Sequence, residues 1–294
     1  MKVGAVDIGT NSMRLLITDG RIEFGRWEEV TGLGRGVDRT GALSPEGIED
    51  SLVALAGFGA TMDAEGVERR MAIATSAARD ASNRELFFDL AQSALSVRPI
   101  LVSGEEEARL AFDGATAGPV GRSLAQPVVV SDIGGGSTEL VTAEGGVSID
   151  IGSVRLTERV IPHRPAPPAE MAAARSLLAG MFRGVSLETK ALVGVAGTWT
   201  SLVGIARDLP RSSTRTIRGQ RITRVELESV IGSLAGKSVE ETAVIPSLHP
   251  RRAPVILAGS LIAATVMHVL GMDEAVVSEH DSLDGVAIRL LAIP

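Results

Sequence analysis

One phrase occurs twice in this chain, 125 residues apart: Asp7-Ile8-Gly9-Thr10-Asn11-Ser12-Met13-Arg14-Leu15 and Asp132-Ile133-Gly134-Gly135-Gly136-Ser137-Thr138-Glu139-Leu140. Both read D-I-G-x-x-S-x-x-L. Each copy follows a short apolar run (Val3 to Val6; Val128 to Val130) and leads into another (Leu15 to Ile17; Leu140 to Val141). The pattern predicts a strand, a tight turn and a second strand, with an acid, glycines and hydroxyls on the turn. Asp and Gly also serve ordinary hairpin turns, so one copy alone says little. Two copies at domain-sized spacing predict two similar domains facing each other, each offering a phosphate-binding loop to a shared cleft.

The chain has 294 residues, room for two domains of roughly 100–200 residues each. The Gly-, Ala-, Ser- and Pro-rich stretch Gly114 to Pro127 places the boundary. The first domain is then 1–118 and the second 119–294, with the closing helix, 282–294, able to return to the first. Between the hairpins, Ser44-Pro45-Glu46 reads as a helix start. Met71 to Thr75 and Pro99 to Val102 read as strands, and Arg84 to Leu95 as a helix. Beyond the boundary, a helix over Ala169 to Phe182, a strand over Ala191 to Val195, the apolar helix Val255 to Leu270 and a helix from Ser282 keep the alternation. Such alternation predicts α/β domains with mixed sheets.

Composition removes several function classes. There is no Cys, which excludes disulfides, thiolate metal sites and a Cys nucleophile and fits a reducing, cytoplasmic setting. The run Val255 to Leu270 is uncharged apart from His268, yet too short to span a membrane. It suits either a buried core helix or a homodimer surface. A net charge of −7 argues against nucleic acid as a partner. Of the 29 basic residues only Lys2, Lys190 and Lys237 are lysines. The densest basic stretch, Arg207, Arg211, Arg215, Arg218, Arg221 and Arg224, is either a solvated face or a track for an extended polyanion.

In each hairpin, Gly is expected to allow positive φ and close approach, so that successive N–H groups cradle an anion. Thr10, Asn11 and Ser12 in the first loop, and Gly134, Gly135, Gly136, Ser137 and Thr138 in the second, are the candidate phosphate contacts. Asp7 and Asp132 would repel a phosphate unless a cation lies between. Mg²⁺ satisfies that demand, since it takes one or two carboxylates with waters and phosphate oxygens. Ser103-Gly104-Glu105-Glu106-Glu107 predicts a helix start capped by Ser103 and Glu106. Glu105 and Glu107 are then left over, and Glu107 could orient or deprotonate a water, although three acids in a first turn also complement the helix dipole. Thr75-Ser76-Ala77-Ala78-Arg79 offers hydroxyls and an Arg for phosphate, or a cap by Ser76. Ala196-Gly197-Thr198 repeats that theme.

These segments together resemble the exopolyphosphatase / guanosine pentaphosphate phosphohydrolase (Ppx/GppA) family. The matching stretches are V-D-I-G-T-N-S-M-R-L-L, G-V-D-R-T-G-A-L-S, A-T-S-A-A-R-D-A-S-N, S-G-E-E-E-A-R-L-A-F, D-I-G-G-G-S-T-E-L, G-S-V-R-L-T-E and G-V-A-G-T, in family order over nearly the whole chain. The resemblance implies two actin-like (ribonuclease H-like) domains around an interdomain cleft. It implies a hydrolase dependent on Mg²⁺ or Mn²⁺ that removes terminal phosphate from polyphosphate, short chains above all, or from pppGpp. The family's catalytic acid falls on Glu107, with Glu106 beside it as the second candidate; its metal-associated Asp falls on Asp132, with Asp7 opposite. Arg79 joins the phosphate contacts. The chain departs from the family pattern at Arg35 and at Arg252-Ala253-Pro254, where an acid is common. A non-catalytic polyphosphate or alarmone sensor and a kinase are the rival readings.

Overall fold

The computed structural model describes residues 1–210 and 217–293, which form two compact units. The first comprises Met1–Gly114 together with the segment from Ser282 onward, and the second comprises Ala115–Asp281. The units therefore part at 114/115, not at 118/119. The Gly/Ala-rich stretch is not a linker: a helix runs Gly104–Ala117 and a short one follows at Pro119–Arg122.

The first unit holds a five-stranded sheet in the order β3-β2-β1-β4-β5, built from β1 (Val3–Ile8), β2 (Ser12–Thr18), β3 (Glu23–Val30), β4 (Arg69–Ala74) and β5 (Ile100–Leu101). β1 pairs antiparallel with β2 and parallel with β4. Every residue of β1 is buried, as expected of a central strand covered on both faces. Its alternate side chains feed two cores. Val6 and Ile8 pack with Leu55, Phe58, Phe87 and Ala91 of the helices Pro45–Ala64 and Arg84–Leu95. Val3 and Ala5 pack with Leu110 of Gly104–Ala117 and with Leu283, Val286 and Leu290 of the helix Ser282–Ala292. The helix Pro45–Ala64 starts as the sequence predicts: the Ser44 side chain accepts from Gly47 N, with Pro45 in the first turn.

The second unit holds a six-stranded sheet in the order β10-β11-β9-β6-β7-β8, from β6 (Val128–Ile133), β7 (Thr138–Thr142), β8 (Gly145–Ile149), β9 (Ala191–Val195), β10 (Arg221–Thr223) and β11 (Glu274–Val277). Its hairpin, outer strand and parallel neighbour repeat the first sheet, and β10 is an added antiparallel edge. The fold is thus α/β with two mixed sheets of one underlying topology. The apolar segment near 255–270 forms the helix Ile256–Val269, whose Ile256, Leu257, Leu261, Ile262 and Val266 lie in the second unit's core. It is core, not a dimer surface. Among the described residues, no helix is long and apolar enough to cross a membrane.

Candidate active site

The two hairpins share one register and one closing hydrogen bond. Ile8 pairs with Met13 and Ile133 with Thr138, leaving loops Gly9–Ser12 and Gly134–Ser137. In each loop the Gly N–H donates to the Ser carbonyl at 3.0 Å. Neither Gly9 nor Gly134, Gly135 or Gly136 has positive φ, which corrects the sequence expectation. Gly9 is needed for space instead: a Cβ there would lie 2.8 Å from the Ser12 carbonyl oxygen.

In the first unit, Asp7 is buried and directly opposite Arg14 across the β1–β2 pair. Arg14 Nη2 donates to Asp7 Oδ2 and, at 2.9 Å, to Ser282 Oγ. Ser282 Oγ in turn donates to Asp7 Oδ2 at 3.0 Å. Asp7 lies on the same face of β1 as Val3 and Ala5, the face covered by the helix Ser282–Ala292, and this is why Ser282 reaches it. Asp7 Oδ1 is buried with no hydrogen-bond partner among the described residues.

The helix Gly104–Ala117 covers that same face and carries the acids. Ser103 Oγ accepts from Glu106 N at 3.1 Å, but the capping box is only half made. The Glu106 carboxylate accepts from Arg289 Nη1 at 2.6 Å instead of turning back to Ser103. Glu107 accepts from Arg79 Nη1 at 2.7 Å, and the same nitrogen donates to the Val102 carbonyl at 3.0 Å. Burial pushes the Glu107 carboxyl up to about 7; Arg79 pulls it down, Asp7 pushes it further up and Arg14 opposes that. Its side chain still keeps 12% of its surface open. The helix Ser76–Asp80 that delivers Arg79 has no side-chain cap, so neither Thr75 nor Ser76 is spent on capping.

In the second unit, Asp132 is buried and stands opposite Glu139, itself 1% exposed, in the strand pair. Ser148 Oγ donates to Glu139 Oε1 at 2.7 Å. The loop Gly134–Ser137 is held from behind by the start of the helix Ser153–Val160. Ser153 N donates to the Gly134 carbonyl, and Val154 N to that of Gly135, each at 2.9 Å. That approach requires Gly152, where a Cβ would sit 2.4 Å from the Gly135 carbonyl carbon. Thr198 Oγ1 donates to the Ile133 carbonyl at 2.8 Å, so the start of the helix Ala196–Ala206 braces the end of β6, where the loop begins. The carbonyls of Gly134 and Gly135 are thus taken up, while the N–H groups of Gly135 and Gly136 find no acceptor among the described residues.

The sequence candidates thus separate. In the first loop the Asn11 side chain holds no hydrogen bond among the described residues, while Thr10 Oγ1 accepts from Ala77 N at 3.2 Å. Ser12 Oγ donates to Glu28 Oε1 at 3.1 Å. The Thr138 side chain is fully buried and donates to the Ile151 carbonyl at 2.6 Å, so it anchors the strand after the loop. Ser137 makes no such internal bond. Glu139 and Ser282 were missed by the sequence reading. Glu139 could have been found by counting, since in a hairpin closed by a four-residue loop the seventh residue after the Asp faces it. Ser282, 275 residues from Asp7, leaves no such signal.

The basic stretch is largely neutralised. Arg207 pairs with Glu226, Arg218 with Glu279, Arg221 with Glu274 and Arg224 with Asp273. Arg211 and Arg215 lie outside the described residues.

Comparison with known proteins places these features in company. The model of the Ppx/GppA phosphatase family matches residues 24–292. Exopolyphosphatase 2 of Mycobacterium tuberculosis is 38% identical over 98% of both chains. Among solved structures, an exopolyphosphatase-like protein superposes with a TM-score of 0.91 at 32% identity, covering 98% of each chain. The Aquifex aeolicus Ppx/GppA family member superposes with a TM-score of 0.79 at 29% identity, over 98% of this chain and 97% of its own.

Proposed function

The chain belongs to the Ppx/GppA phosphatase family, and from that premise we propose that it is an exopolyphosphatase, releasing terminal orthophosphate from inorganic polyphosphate. The observation that carries the reading is Glu107: a carboxyl held in place by Arg79 at 2.7 Å and raised to about 7, so that it accepts a proton at neutral pH. The relatives named as exopolyphosphatases supply the substrate class.

In this reading Glu107 orients the attacking water and takes its proton. Arg79, tied to the Val102 carbonyl, fixes the carboxylate that does so. The N–H groups of Gly135 and Gly136 and the Ser137 hydroxyl meet the charge that develops on the transferring phosphoryl oxygens. Asn11 and Thr10 provide the equivalent donors of the first loop. Such transfer rests mainly on positioning and electrostatics, so no covalent enzyme intermediate is required.

Divalent metal fits these residues in a particular way. Among the described residues no three His, Cys, Asp or Glu side chains cluster as a metal cage. Asp7 Oδ1, buried and without a hydrogen-bond partner, is available as a single ligand, and Asp132 with Glu139 forms a buried acidic pair in the second unit. Either acid, taken in its own unit, suits Mg²⁺, which needs only one or two carboxylates and keeps waters and phosphate oxygens in its shell. When bound, the ion neutralises charge on the phosphate oxygens.

The experiment is phosphate release from short polyphosphate and from pppGpp in parallel, with and without Mg²⁺, for wild type and Glu107→Gln. We expect release that needs Mg²⁺ and falls by about 10²–10⁴-fold in the variant, with polyphosphate the faster substrate. Faster turnover of pppGpp would reassign the substrate. Unchanged activity in Glu107→Gln would remove the mechanism. Tight binding without release would make the protein a sensor.

A further inference from the structure

Most arginines in the first unit are paired with an acid: Arg14 with Asp7, Arg70 with Asp63, Arg79 with Glu107, Arg98 with Glu85. Arg35 is not. It is exposed, and its guanidinium has no acid or carbonyl partner among the described residues. Yet it does not extend into solvent. It folds back over Gly32, so closely that a Cβ there would lie 2.5 Å from Arg35 Nε and 2.8 Å from Cζ. Gly32 has φ +72°, a conformation that also favours glycine.

The segment carrying Arg35 is fastened to the first hairpin loop. Thr31 N and Gly32 N donate to the Asn11 carbonyl at 3.1 and 2.9 Å, and Gly34 N donates to the Thr10 carbonyl at 2.8 Å. Arg35 N closes the turn onto the Gly32 carbonyl at 3.0 Å. At Gly34 a Cβ would meet Thr10 Cγ2 at 2.2 Å, so the segment lies directly on the loop. An unneutralised planar fork is thereby held beside the loop to which phosphate binding was assigned above. An Arg in that setting matches a phosphoryl group bidentately.

We propose that Arg35 is a specificity-determining residue that binds a phosphoryl group of the substrate other than the one being cleaved. The proposal rests on the exopolyphosphatase reading and adds to it a preference for substrates with several linked phosphates. Arg39, four residues on, is exposed and also unpaired among the described residues; its Nη2 would meet a Cβ at Gly36 only at 3.9 Å, ordinary contact, and it serves as the control.

The test is steady-state phosphate release by the Mg²⁺-supplied full chain over a series of polyphosphates of increasing length. Arg35→Ala is expected to raise KM about tenfold for long chains, with kcat within about twofold of wild type. Arg35→Glu is expected to raise it further, Arg35→Lys to recover part of it, and Arg39→Ala to leave it unchanged. Because the contact is charge-assisted and exposed, the gap between wild type and Arg35→Ala should narrow near ~0.5 M salt. Equal KM values for wild type and Arg35→Glu at every length would overturn the proposal, as would equal rises for Arg35→Ala and Arg39→Ala. A binding arm compares long-chain polyphosphate affinity of Glu107→Gln with that of Glu107→Gln/Arg35→Glu, which needs no turnover. Weaker binding by the double variant supports the role of Arg35, and equal binding refutes it. A wild type that releases no phosphate defeats the exopolyphosphatase reading, and the binding arm still decides Arg35.

Discussion

The two D-I-G hairpins share register, loop length and closing hydrogen bond, and differ in what each sets against its aspartate. Asp7 faces Arg14, and the pair is completed by Ser282. Asp132 faces Glu139. In the first hairpin the residue opposite the acid is its countercharge, whereas in the second it is another buried acid. A duplicated scaffold has therefore been given two electrostatic characters by the residue seven places after its acid. The first lies beside Glu107, whose carboxyl feels both Asp7 and Arg14. The second leads into the loop Gly134–Ser137 with an acid on each strand.

The sharpest way to break this contrast is Arg14→Glu, which gives the first hairpin the pairing of the second. Removing one partner of a buried ion pair typically costs ~3–5 kcal/mol. Denaturant unfolding should register at least that loss, together with loss of phosphate release. On the other side, Glu139→Gln should raise the Mg²⁺ concentration for half-maximal activity by about tenfold or more, read by metal titration, with Arg14 and Asp7 intact.

A third prediction follows from Glu107. The rate should fall on the acid side of about pH 7, and Glu107→Gln should lack that limb. Stability has the opposite sign. The native carboxyl holds its proton more tightly than the ordinary 4.5, so its contribution is complete below that value and lost as pH rises through about 7. Thermal unfolding of Glu107→Gln should match wild type at pH 4 and exceed it at pH 8. The smallest effect is expected for Ser282→Ala, about 1 kcal/mol for a lost buried hydrogen bond, with the Asp7–Arg14 pair retained.

Much of this was legible in the sequence, and the reasons differ by residue. The hairpins were readable because apolar runs, glycines and register are local. The helix Arg84–Leu95 and the Ser44 cap were readable for the same reason. On its own helix the Ser103 cap left both Glu105 and Glu107 over, and the partner that Glu106 takes, Arg289, lies far along the chain. The phosphate roles of the loop residues were harder to sort. Thr138 and Ser137 are neighbours of the same chemical type, and only the direction of each side chain separates anchor from donor. Ser282 and the pairing of the basic stretch were invisible, because their partners are brought in by topology and not by spacing.

The same topology makes the first unit discontinuous, with its segment from Ser282 onward following the whole of the second unit. During synthesis, the residues up to Gly114 emerge without Ser282 and without the helix that covers the Asp7 face. The second unit, by contrast, is one continuous stretch and can close as soon as it is made. Domains made on the ribosome generally fold in order from the N-terminus. Here the order is reversed for the part that matters most: the younger unit can mature first, and the older one must wait for it before its aspartate acquires both of its partners. A nascent or truncated chain lacking Ser282–Ala292 would therefore carry both hairpins and Glu107 while leaving the Asp7 network unfinished, so that completion of the fold and completion of that network are a single event.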